Sequence, residues 1–225
     1  MSGSQLPPAL PPETRTVGQL VAESIRLYGN HFWRVLPLGL ALALIDQISA
    51  GRPTGSQALI LLACSPLLSL AYLLACLVVH ETDWTWGTFW RALGAGTVAF
   101  LPVPFLALVY ALPAVAWLAL VGLVVPAVIY ESLSFRAGFA RALRLARADY
   151  IHALGSLATL VIVFVLTRLV LVVLLHGQAN ATARIAAFLA DLVISPLILV
   201  GAALLYFDQA ARVRYSPDEQ PLQRG

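Results

Sequence analysis

Arg168 and Asp191 are the side chains in this sequence whose type and placement could do chemistry. Both lie inside long apolar runs, where an ionisable group costs about 2.5 to 3.5 kcal/mol on insertion scales and marks a candidate functional position. Each falls about eight residues, roughly 12 Å, from the same end of its expected helix. Their depths match, so an ion pair between neighbouring helices is expected. Such a pair either fixes helix register or lines a path for a substrate or proton. Asp46, about four residues from the end of an earlier run, either reaches the membrane interface or makes a third contact, to Arg168 or Arg184.

Other polar groups carry weaker signals. Glu81, Glu131 and Asp208 each close an apolar run, and as helix-end acids they are expected to pair with arginines of nearby amphipathic segments. His80, Glu81 and Asp83 superficially suggest a metal site, but a second imidazole at helical spacing is missing and solvated helix-end residues are expected instead. Asn180-Ala181-Thr182 fits a glycosylation acceptor on an outer loop, silent in a bacterial source. Cys64 and Cys76 would stand roughly 18 Å apart on a continuous helix, too far for a disulfide. The sequence holds no glycine-rich phosphate cradle, no Gly-x-Ser-x-Gly elbow and no His-Glu-x-x-His. No catalytic, cofactor-binding or metal-binding set is assigned, and the chain is not read as an enzyme.

The elements that must position these groups follow from composition. With 225 residues, 60% hydrophobic and 11% charged, and a mean hydropathy of +0.85, the chain is far from the soluble average of about 25% charged residues. It reads as an all-α, polytopic membrane protein. All 14 basic side chains are arginine, the net charge is +3, and the basic residues flank apolar runs, which argues against nucleic-acid binding.

Three amphipathic segments precede apolar runs. In Ser134 to Leu154, Phe135, Phe139, Ala142, Leu143, Ala146 and Tyr150 gather on one arc and Arg136, Arg141, Arg144 and Arg147 on the other. That pattern predicts a helix lying in a membrane surface with its arginines toward anionic headgroups. A second, capped by Thr16 with Gln19 three residues later, puts Val17, Val21, Ile25, Tyr28 and Phe32 on one face. A third is short and tryptophan-rich: Trp84, Trp86, Phe89 and Trp90 surround Arg91, and Trp86, Trp90 and Arg91 join the headgroup candidates.

Six spans are expected, at about 33–50, 57–80, two within 95–130 separated near Tyr110 to Pro113, 152–175 and 183–208. Ser65-Pro66 should kink the second, and Ser195-Pro196 recurs in the sixth. Charge placement supports the split of 95–130. With six spans and a cytoplasmic N-terminus, Arg15, Arg26, Arg34, Arg91, Arg136, Arg141, Arg144, Arg147, Arg212, Arg214 and Arg224 lie inside, and Arg52 and Arg184 outside. Five spans would reverse the asymmetry, which the positive-inside rule disfavours. Residues 1–13 form a proline-rich tail expected to be disordered and 215–225 a loose polar tail; a single membrane domain covers 14–214.

Simple offsets suggest a threefold internal repeat with units at about 16–82, 85–132 and 134–209. A shift of 118 lays Ser24-Ile25-Arg26-Leu27 on Ala142-Leu143-Arg144-Leu145, and a shift of 50 lays Arg91-Ala92-Leu93 on Arg141-Ala142-Leu143 and Glu81 on Glu131. Each unit reads as surface helix, span, span, closing acid.

Three stretches, VGQLVAESIRLYGNHFWRVL (17–36), PAVIYESLSFRAGFARALRLARADYIHALG (126–155) and LLYFDQAARVR (204–214), carry a resemblance to the membrane domain found beside some bacterial glycerophosphoryl diester phosphodiesterases and to its stand-alone relatives. The resemblance spans nearly the whole chain and implies six spans in a bacterial cytoplasmic membrane. The hydrolytic residues of that family have no positions in this sequence onto which they could be carried.

Two function classes are open. One is a non-catalytic membrane module that engages anionic lipid headgroups or a partner membrane protein, with no cofactor. The other is a small transporter or permease subunit with a polar path at Arg168, Asp191 and Asp46.

Overall fold

The computed structural model describes residues 15–214, which are overwhelmingly helical with no strand among them. The two tails expected at 1–13 and 215–225, and Arg224, lie outside the described residues. Twelve helices follow in order: α1 (Val17–Asn30), α2 (Phe32–Val35), α3 (Leu40–Ser49), α4 (Thr54–Ala63), α5 (Ser65–Val79), α6 (Trp86–Phe100), α7 (Val103–Val109), α8 (Ala111–Val121), α9 (Val124–Glu131), α10 (Phe135–Ala148), α11 (Tyr150–Leu174) and α12 (Asn180–Arg214). A 3-10 turn, Leu36–Gly39, joins α2 to α3.

Five helical stretches are long and apolar enough to cross a membrane: Phe32–Ser49, Trp86–Val109, Ala111–Glu131, Tyr150–Leu174 and Asn180–Val213. The pair α4–α5 is apolar enough together but bends by 53°. These are the proportions of an integral membrane protein.

Helix starts have local causes. Thr16 and Gln19 form a reciprocal capping box, the Thr16 amide donating to Gln19 Oε1 at 2.7 Å. The side chains of Thr85, Ser134 and Asp149 cap α6, α10 and α11 by accepting from Thr88, Ala137 and His152 amides, which satisfies donors a helix start leaves free. The α4–α5 break falls at Cys64, directly before Ser65-Pro66, where proline removes a backbone donor. Tyr110 is fully extended and separates α7 from α8. Pro196, by contrast, sits within an unbroken α12.

Arg15 bonds Asp208 on α12, so both described ends of the chain lie at one end of the bundle, the termini end. The opposite, loop end carries residues 50–53 and 175–179, where Gln47 and Arg184 meet. The core runs between them and includes Leu73, Val125, Ile129, Leu160 and Leu205; Val35, Leu38, Ala75, Val200 and Leu204 form a satellite beside α1. Only 11% of the most apolar window of α11 is buried against 61% for α8–α9, so α11 sits at the perimeter and α8–α9 near the centre.

Helices approach closest at small residues. A Cβ on Gly39 would overlap the Leu192 backbone, one on Gly201 would strike Leu160 and crowd Ser24, one on Gly96 would strike Ser69 and Val125, and one on Gly138 would strike Val128. Close backbone approach at glycine and serine is how apolar helices pack without a hydrophobic drive between them.

Two expectations are corrected. The tryptophan-rich segment is not a separate surface helix, because α6 runs unbroken from Trp86 to Phe100. The helices α1 and α10 stop where His31 and Asp149 leave helical geometry (φ −120°, ψ 28° and φ −152°, ψ 77°), and α6 has no such residue after Trp90. The arc of α1 also faces differently. On α1 the buried positions are Leu20 and Ser24, while Ile25 is exposed. On α10, by contrast, the expected arc does pack: Ala142 and Ala146 are buried and Phe139, Leu143 and Tyr150 lie against the core, joined by Gly138 and Leu145, with only Phe135 of the arc exposed. At each contact a leucine fills the space, Leu20 on α1 and Leu145 on α10, beside a small residue, Ser24 or Gly138, that lets the helix approach its neighbour.

Candidate functional site

The expected ionic residues meet near the loop end. Arg168 projects from α11 toward α12 and α3; its Nη1 donates to both oxygens of Asp191 at 2.7 and 2.6 Å, and its Nη2 to both oxygens of Asp46 at 3.2 Å. The guanidinium fork matches two carboxylates at once, a geometry lysine lacks. The Asp191 side chain is fully buried, whereas those of Arg168 and Asp46 are about a third exposed. Arg184, the alternative partner for Asp46, instead pairs with Gln47: its Nη2 donates to the Gln47 carbonyl at 3.2 Å, and Gln47 Nε2 donates to the Arg184 carbonyl at 2.9 Å.

Arg168 stands between two clefts. One, of about 360 Å³, lies between α3, α4, α7 and α11, with Asp46, Ser49, Thr54 and Gln57 among its walls. The other, of about 270 Å³, lies toward the loop and is walled by His176, Gln178 and Asn180. The triad therefore borders open space on both sides.

At the termini end the three closing acids have arginine partners of very different quality. Glu81 and Arg34 are 4.0 Å apart and solvent-exposed, a geometry that contributes close to nothing. Glu131 accepts from Arg141 Nε at 2.9 Å and from the Tyr206 hydroxyl. Asp208, with a fully buried side chain, accepts from Arg15 Nη1 at 2.8 Å and faces His152 Nε2 at 3.7 Å.

The residues just before these acids meet as well. The rings of His80, Tyr130 and Phe207 pack pairwise with centroids 5.1 to 5.6 Å apart, and the Tyr130 hydroxyl donates to the Cys76 carbonyl at 2.6 Å. His80 edges an aromatic triangle and, like Glu81 and Asp83, is exposed.

The arginines expected to reach headgroups divide into two groups. Arg136, Arg144 and Arg147 are exposed and make no side-chain bond to the described residues. Arg141 is held by Glu131, and Arg91 turns back onto the Gly87 and Leu133 carbonyls and the Thr88 hydroxyl. Trp86 and Trp90 are 66% and 61% exposed and stack on each other. Trp33, which the sequence reading passed over, is more exposed still at 81%.

Sequence reasoning also missed a second ionic cluster. Arg212 Nη1 donates to Asp149 Oδ2 at 2.7 Å and its Nη2 to the Arg15 carbonyl at 2.8 Å, and Gln209 Nε2 donates to the Asp149 carbonyl. The helix-starting position of Asp149 was the available signal, since a capping carboxylate at a chain bend is free to take a partner on one oxygen.

No protein-family profile, no curated protein and no solved structure matches this chain.

Proposed function

We propose that the chain is a six-span protein of a bacterial cytoplasmic membrane, with both termini inside. On this reading it serves as a non-catalytic module that grips anionic lipid headgroups, or a partner membrane protein, through its termini end. The bent pair α4–α5 counts as one crossing, which makes six, and the spans then alternate between the two ends of the bundle.

A threefold repeat fits the packing. The helix that begins each unit lies against the second span of the unit before it: α6, which here is itself the first part of a span, on α5, α10 on α9 and, closing the circle, α1 on α12. The later parts of the first spans follow the same rule, with α7, the second half of the Trp86–Val109 span, on α4, α11 on α8 and α3 on α12. The triangle of His80, Tyr130 and Phe207, each one residue ahead of a closing acid, sits where such an axis would pass. This architecture agrees with kinship to stand-alone relatives of the phosphodiesterase membrane domain.

One observation carries the functional reading. Arg136, Arg144 and Arg147 face outward from a helix whose other side is clamped to the bundle through Gly138, Ala142, Leu145 and Ala146. A rigid row of free guanidinium groups, together with the exposed Trp86 and Trp90 elsewhere on the surface, suits phosphate-bearing lipid surfaces.

The test replaces Arg136, Arg144 and Arg147 together with glutamine and measures phosphatidylglycerol retained by the purified protein, against phosphatidylcholine, by native mass spectrometry. At about 1 kcal/mol per arginine, the preference for phosphatidylglycerol should fall by roughly 100-fold. Unchanged retention ends the reading. A second reading, a transporter subunit, is favoured by the clefts reaching Arg168; it requires that replacing Arg168 and Asp191 by leucine abolish the phenotype of a folded chain.

A further inference from the structure

The larger of the two clefts beside Arg168 is walled by Asp46 and Arg168, and the triad to which they belong carries an uneven set of charges. Asp46 and Asp191 bring two negative charges and Arg168 one positive, and the guanidinium already faces all four carboxylate oxygens. Asp191 is enclosed, so the surplus negative charge is felt in the cleft through the partly exposed Asp46. Two unit charges 4 Å apart interact by about 4 kcal/mol at an effective dielectric of 20, so an anion such as phosphate is repelled and a cation attracted.

The remaining walls narrow the class. Ser49, Thr54 and Gln57 border the cleft near Asp46. Gln57 Nε2 is spent on the Arg52 carbonyl at 2.8 Å, which leaves its Oε1 as an acceptor. Most of the other lining is apolar and includes Leu61, Leu108 and Phe164. A bare calcium or magnesium ion needs about six oxygen ligands, and an apolar wall does not supply them. A volume of about 360 Å³ falls at the small end of ligand pockets, roughly 300 to 1,000 Å³.

We propose that this cleft binds a primary organic ammonium with a short apolar body. The three N–H groups of the ammonium donate to Asp46 and to the side-chain oxygens beside it, and the body rests on Leu61, Leu108 and Phe164. The ligand neutralises the triad without displacing Arg168.

The experiment uses the full chain in phosphatidylcholine nanodiscs at pH 7, titrated with n-hexylamine, and with n-hexanoate and n-hexanol as anionic and neutral probes of equal length. Calorimetry should give saturable binding of the amine, with both controls at least about tenfold weaker. Asp46→Asn should weaken amine binding by about tenfold or more. Leu61→Trp, which fills the apolar part and leaves every charge in place, should abolish it. Non-saturable uptake of the amine, equal binding by Asp46→Asn, or hexanol binding as tightly as the amine overturns the proposal. If Asp46→Asn does not fold, retention of binding by Leu61→Trp overturns it alone. The headgroup arginines lie at the other end of the bundle, so this result is independent of the lipid measurement.

Discussion

Arg168 and Asp191, 23 residues apart in sequence, form a two-oxygen contact from a single guanidinium nitrogen at 2.7 and 2.6 Å, and the second nitrogen is left for Asp46. The hierarchy within the triad follows. Arg168→Leu strands two carboxylates, one of them enclosed, and should destabilise the protein by about 3 kcal/mol, in line with breaking a buried pair. Asp191→Leu leaves Arg168 its contact with Asp46 and should cost less. Chemical unfolding in nanodiscs ranks the two, and a larger loss for Asp191→Leu contradicts the shared-guanidinium arrangement.

Gly39 and Gly29 separate packing from helix propensity. Gly39 has the Leu192 backbone where a Cβ would stand, while Gly29 has nothing within 4 Å. Gly39→Ala should destabilise by about 1 to 3 kcal/mol, since a backbone cannot swing aside as a side chain can. Gly29→Ala, near the end of α1, should be neutral or stabilise by up to about 1 kcal/mol. Thermal melts of the two variants make the comparison.

The orientation is open to labelling. With Cys64 and Cys76 replaced by alanine, a cysteine introduced at Gln178 should react with a membrane-impermeant maleimide on intact spheroplasts. One introduced at Arg136 should react only after permeabilisation. Reaction of both from the same side removes the alternation on which six spans depend.

Tyr130 gives a local test of the aromatic triangle. Its hydroxyl donates to the Cys76 carbonyl, and its ring packs against His80 and Phe207. Tyr130→Phe keeps the ring and should cost about 1 kcal/mol. Tyr130→Ala removes both and should cost about 3 to 5 kcal/mol. Equal effects in unfolding measurements would mean the ring contributes nothing at this junction.

How much of this was legible in the sequence differs by element. Helical class and apolar length are properties of composition; the break at Cys64 lies beside Pro66, and the one at Tyr110 was legible because the apolar run 95–130 is too long for one span. Depth along a helix is also readable, and equal depth on adjacent helices is what brings Arg168 to Asp191. Facing is not readable in the same way. On α1 the residues Val17, Val21, Ile25, Tyr28 and Phe32 share the apolar face, yet the fully buried positions are Leu20 and Ser24, and Ser24 is the one that meets the close approach at Gly201. The Asp149–Arg212 cluster was hidden for another reason: the capping position of Asp149 is locally legible, but its partner Arg212 lies 63 residues away and no local pattern links the two.

Arg15 and Asp208, 193 residues apart, tie the two described ends together, and α1 packs chiefly on α11 and α12. A ribosome therefore releases the first helix long before its docking site exists. Until α12 emerges, the face of α1 that carries Leu20 and Ser24 stays uncovered. The bundle closes only when α12 meets α1, and chains stalled before α12 should be the ones that quality-control proteases recognise by the uncovered face of α1.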